Sequence, residues 1–145
     1  MSYSALSPRE VAELYLERVG AFWAADDKPA KSEAIADLFA TDVDWYIAGD
    51  PALVPWVGTR QTRHSISAFY VELARYVEPR HFEVRRILSD DTMAVVVGDL
   101  ASVLRPTGKL IPTPFVMEMV VDQGRITHYR LHEDSYAIAL GMSVN

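Results

Sequence analysis

From His81 onward the chain alternates apolar and polar residues, and three turn-forming clusters break the alternation: Ser89–Thr92, Pro106–Gly108 and Asp122–Gly124. A period of two marks strands with one buried face, and turns this short join neighbours into an antiparallel meander. Strands are expected over His81–Leu88, Met93–Arg105, Leu110–Val121 and Arg125–Asp134. Gly98 interrupts the second of these, as a bulge or a close approach would. A meander of this kind has an apolar face that needs a covering layer.

The first half of the chain supplies that layer. Ser7, Pro8 and Glu10 form a capping box with proline at the first helical position. Val11, Leu14, Tyr15, Val19, Phe22 and Trp23 follow at steps of three and four, one apolar stripe along a helix. A shorter helix carries Ile35, Leu38 and Phe39, and a third carries Ile66, Phe69, Tyr70, Leu73 and Val77. Between them Val43–Ile47 alternates as a strand, and Gly49, Asp50 and Pro51 break it. Helices first and a meander second read as an α+β fold in one domain, 1–145. The 145 residues suffice to bury roughly 68–70% of the extended surface.

Charge and composition narrow the function classes. With 14 Lys and Arg against 20 Asp and Glu the net charge is −6; the basic excess or stripe of a nucleic-acid binder is missing, so no nucleic-acid partner is expected. The chain has no cysteine, which removes disulfides, thiolate nucleophiles and thiolate-bound zinc. No run of apolar residues is long enough for a membrane span, and the start lacks a signal-peptide pattern, so a cytoplasmic, membrane-free protein is expected.

The densest chemistry lies on the last strand. His128, Arg130 and His132 share one face there, and Tyr129, Leu131 and Glu133 share the other. A three-residue loop at Asp122–Gly124 pairs Met117 with Tyr129, Phe115 with Leu131 and Thr113 with Glu133. These partners are chiefly apolar, so the Tyr129, Leu131 and Glu133 face is expected to look inward. His128 and His132 stand about 13 Å apart along the strand, too far to share one ion, and no metal site is expected. Their outward face is expected to form a homodimer contact. Asp99 has two possible placements. A three-residue loop at Pro106–Gly108 sets it opposite Phe115, pointing inward as a raised-pKa acid or base. A two-residue loop or a bulge turns Leu100 inward instead and leaves Asp99 a structural charge outside.

The order of elements resembles the cone-shaped, nuclear-transport-factor-like α+β fold shared with ketosteroid isomerases. Within that fold the chain looks like the SnoaL-like polyketide-cyclase branch, with limonene epoxide hydrolases as relatives. The matching pieces are Leu38–Trp45, the Gly58–Phe69 entry to the third helix, Pro106–Gly108, and Gly124–Ile126 followed by Tyr129 and Arg130. The resemblance implies a curved antiparallel sheet, with N-terminal helices packed on its concave face, enclosing a pocket. It does not carry over the relatives' catalytic groups. The isomerases' first-strand aspartate falls on Ile47, the hydrolases' Arg-x-Asp on Gly98 and Leu100, their last-strand aspartate on Leu131, and the isomerases' tyrosine nearer Val19 than Tyr15.

The expected ligand is therefore a small hydrophobic molecule, walled by Tyr15, Trp45, Ile47, Trp56, Phe69, Leu100, Met117 and Leu131. Asp99, Glu133 and Tyr129 are the candidates for cofactor-free acid–base catalysis: isomerisation, cyclisation or hydrolysis. The other expectation is a module that only binds or dimerises.

Overall fold

The computed structural model describes residues 3–143. In chain order the elements are α1 (Pro8–Ala24), α2 (Lys28–Ala36), β1 (Phe39–Ile47), β2 (Gly58–Arg60), α3 (Arg63–Tyr76), β3 (Val77–Ser89), β4 (Met93–Leu104), β5 (Lys109–Asp122), β6 (Arg125–Glu133) and α4 (Ser135–Met142). The strands make one six-stranded sheet in the order β2-β1-β6-β5-β4-β3. Helix α1 starts at the capping box read from Ser7 and Glu10, and its Val11, Ala12, Tyr15 and Phe22 are buried. A second box, Thr62 with Ser65, opens α3. No helix among the described residues is long and apolar enough to cross a membrane.

The elements differ from the reading of the chain at several points. Phe39 opens β1 instead of closing a helix, and Val77 opens β3. Both are buried, so the apolar residues that continue the helical stripe are serving the sheet. Strand β1 runs parallel to β6, with Trp45 beside Tyr129 and Ile47 beside Leu131, so the sheet is mixed. The segment after β6 is helix α4, capped by Asp134, whose Oδ1 accepts from the Ala137 N–H at 3.0 Å. Gly141 allows it to lie close, since a Cβ there would meet Ile111 and Leu104 at 2.6 and 2.7 Å.

The β5–β6 connection is tighter than a three-residue loop. Gln123 and Gly124 both have positive φ, 50° and 77°, as a two-residue type I′ turn requires. A register shift between Val120 and Val121 then moves the ladder on, so Met119 faces Tyr129, Met117 faces Leu131 and Phe115 faces Glu133. Every pair is displaced by two residues from the three-residue-loop register. A displacement of two preserves the faces, because side chains alternate with period two.

Candidate functional site

The inward face of the sheet follows from two turns. On β6, Tyr129, Leu131 and Glu133 point the same way as Phe115, Met117 and Met119 of β5. The β4–β5 ladder pairs Leu104 with Lys109, leaving Arg105–Gly108 as a four-residue loop, and runs unbroken to Met93. Gly98 therefore sits opposite Phe115 and Leu100 opposite Thr113, which turns Leu100 inward.

Helices α1 and α3 close over this face and leave a cavity of about 320 Å³. Its aliphatic and aromatic walls include Leu16, Val19 and Trp23 of α1, Phe69 and Leu73 of α3, and Trp56 of the preceding loop. Leu100, Met117 and Leu131 floor it, and Ile138 of α4 borders it. A space of this size, chiefly apolar with a few polar groups, is the usual form of a small-molecule site. A more open hollow of about 640 Å³ lies between α2 and α3. Several of its polar groups are tied to the fold, with Ser32 bonded to Ser67 at 2.8 Å and Arg63 Nε donating to the Phe39 carbonyl at 2.7 Å.

Besides His81, Ser102 and Thr113, the polar groups bordering the cavity fall into two sets. The first is a chain of phenols: the Tyr15 hydroxyl contacts that of Tyr70 and lies 2.9 Å from that of Tyr129. All three rings are buried, and burial raises their pKa values above the usual phenol range. They stay neutral at physiological pH. The Tyr70 and Tyr129 hydroxyls also interact with one another, and each O–H can turn from a neighbouring phenol to a ligand oxygen. Tyr70 was legible only as a helix-stripe residue; its signal is that a buried tyrosine hydroxyl requires a partner.

The second set is Glu133 alone. Burial pushes its pKa up to about 7, and among the described residues no hydrogen bond or ion pair reaches it. The strand end that carries it is pinned by Thr113, whose Oγ1 accepts from the Asp134 N–H at 2.8 Å and donates to the Pro114 carbonyl at 2.7 Å. Glu133 thus lines an apolar space with a pKa suited to exchanging protons near neutrality.

Three of the residues read from the sequence lie elsewhere. Asp99 points out of the convex face, opposite Pro114, and pairs with Arg85 at 3.0 Å. The loop is one residue longer than Pro106–Gly108, which reverses the parity of β4. Trp45 and Ile47 are buried but do not border the cavity. Trp45 is stacked behind Tyr129, with centroids 5.7 Å apart and planes 14° apart, and Phe69 packs against its other side. The remaining candidates, Tyr15, Trp56, Phe69, Leu100, Met117, Tyr129, Leu131 and Glu133, all border the cavity.

His128, Arg130 and His132 face outward. Asp44 takes the first two, with His128 Nδ1 at 3.5 Å and Arg130 Nη2 at 3.0 Å, and Glu118 takes His132. No group of three metal-ligating side chains occurs among the described residues.

A curved sheet holding helices over an apolar cavity defines the class, the nuclear-transport-factor-like fold. Solved structures of that fold bear this out. An NTF2-like protein from Burkholderia xenovorans LB400 covers 90% of this chain and 97% of its own at 21% identity and a TM-score of 0.73. An NTF2-like protein from Anabaena variabilis covers 88% and 90% at 14% identity and 0.68. A ketosteroid-isomerase-like protein from Catenulispora acidiphila, in complex with trimethylamine, covers 88% and 86% at 14% identity and 0.65. No curated protein sequence matches this chain. The SnoaL-like domain model matches residues 16–129, and the chain belongs to that family.

Proposed function

We propose that this protein binds a small, largely apolar molecule between α1, α3 and the sheet, and moves a proton on it without a cofactor. The observation that carries this is Glu133, an unpaired carboxyl with a pKa of about 7 bordering an apolar cavity. An ionised Glu133 would take a proton from a carbon beside a carbonyl; the electron pair released moves onto the oxygen. The neutral hydroxyls of the Tyr15, Tyr70 and Tyr129 chain would donate to that oxygen, a form of stabilisation that grows as charge develops. That the Catenulispora protein of this fold is in complex with a small amine supports the use of such a fold for small ligands.

The test is deuterium uptake. Incubated with a neutral ketone such as 2-octanone in deuterated water, the protein should speed exchange at the carbons beside the carbonyl. The rate should rise about tenfold per pH unit below 7 and level off above it, as Glu133 ionises. Binding without catalysed exchange would reduce the protein to a ligand carrier, and neither would remove the reading.

For the partner we propose a second copy of the chain, seated on the convex face of the sheet. Val95, Val97, Val116 and Val120 point out there, only half-buried. The ion pairs of Asp44 with Arg130 and Asp99 with Arg85 share this face, and Glu118, paired with His132, stands between Val116 and Val120 opposite Val95. Half-buried apolar side chains on a sheet face whose charged groups are already paired make a surface that two copies can share. Sedimentation equilibrium should give a dimer at micromolar concentration and a monomer for Val116→Asp; a monomeric wild type would exclude the contact.

A further inference from the structure

Helix α1 presents the cavity with one stripe of side chains: Leu16, Val19, Gly20 and Trp23. Three of these are large and apolar, and the fourth has no side chain. Glycine inside a helix costs about 1 kcal/mol relative to alanine, so its presence asks for a reason. Close packing does not supply one, because a Cβ at Gly20 would meet nothing within 4 Å. Backbone geometry does not either, since Gly20 is absent from the positive-φ positions. What remains is the space itself.

That space is at the edge of the cavity. Of the bordering residues only Gly20, Pro79, His81 and Phe82 are exposed. They come from α1 and from the first half of β3, which is where the cavity border is most exposed. The phenol hydroxyls are buried, and Glu133 is half-buried. A molecule whose polar head reaches those groups therefore has its apolar far end directed toward Gly20 and Phe82.

We propose that Gly20 is the gap through which the ligand's tail leaves the cavity, so that the site takes elongated, uncharged molecules with one oxygen-bearing head. The residue at position 20 then sets the tail length accepted. This rests on the cavity being the ligand site, and it adds the shape of the ligand. The rim supports it chemically, because Phe82 and Pro79 offer apolar surface along the path, His81 is the one polar side chain among the four, and no Lys or Arg borders the cavity.

The experiment is a series of 2-ketones of increasing length, from 2-pentanone to 2-tetradecanone, titrated into the wild type, Gly20→Leu and Gly20→Phe by calorimetry. Each buried methylene is worth roughly a fourfold gain in affinity. In the wild type the gain should continue through the longer members, whereas in the two variants it should stop several carbons earlier. Circular dichroism and thermal melts verify that α1 is intact. If Gly20→Phe does not fold, Gly20→Leu and the wild-type series still decide the matter. An identical length profile in wild type and variant overturns the role of Gly20 while leaving the cavity reading standing. No binding of any ketone overturns the cavity reading itself.

Discussion

Glu133→Gln should abolish most proton transfer and at the same time stabilise the fold. The amide keeps the shape of the side chain but cannot accept a proton, and loss of a positioned acid or base costs about 10²–10⁴ in rate. The stability effect follows from linkage. In the unfolded chain a glutamate titrates near its ordinary value of 4.5, whereas in the folded protein burial holds Glu133 near 7. Below pH 4.5 both states are protonated and the group contributes nothing. Between 4.5 and 7 the unfolded chain ionises first, so folding becomes progressively less favourable; above 7 the loss is complete. Solvent entering the cavity limits that loss to about 1–3 kcal/mol. Thermal melts of variant and wild type should coincide at pH 4 and diverge to a constant gap above pH 7, with the variant higher. Asp99→Asn is the control, because its exposed pair with Arg85 is worth about 0–1 kcal/mol and lies on the other side of the sheet. Equal deuterium exchange in Glu133→Gln and wild type would remove Glu133 from the chemistry.

Gly98→Ala should be the most damaging single-methyl change in the sheet. A Cβ there would stand 2.1 Å from the Glu83 carbonyl oxygen and 2.7 Å from the Phe115 ring. The Phe115 ring is buried and stacked on Phe82, with centroids 5.0 Å apart, so it has no free direction in which to yield. Strand β3 slips register beside this point, between Val84 and Arg86. Overpacking of this kind costs about 1–3 kcal/mol, and a methyl pressed against a backbone carbonyl, which cannot swing aside, belongs at the upper end. Calorimetry should show a melting temperature lower by roughly 10 °C. Adding Phe115→Leu should recover only part of that loss, since the Glu83 carbonyl stays in place. A melting temperature within about 2 °C of wild type would show that β3 and β4 separate more easily than their contact implies.

Local chemistry carries much of this protein. The box at Ser7 and Glu10 starts α1, the turn at Gln123–Gly124 starts β6, and period-two alternation puts Tyr129, Leu131 and Glu133 on one face. That face survived an error of two residues in the ladder, because two is the period of a strand. Asp99 shows the opposite sensitivity. One extra loop residue, Arg105, reverses the parity of β4, so Leu100 enters the cavity and Asp99 joins Arg85 outside.

Other features depend on contacts that no local pattern encodes. Tyr15, Tyr70 and Tyr129 come from α1, α3 and β6 and meet only when the helices close over the sheet. Trp45 reads as a cavity wall until the parallel pairing of β1 with β6 stacks it behind Tyr129. Alternation, caps and turn chemistry act over a few residues, and they suffice to choose the elements and the buried face of each. Which elements touch, and which carboxyl is left in an apolar space without a partner, depends on contacts between distant parts of the chain. Alternation reads Glu133 as an inward-facing carboxyl near the end of a strand, and packing makes it the group with a pKa near 7.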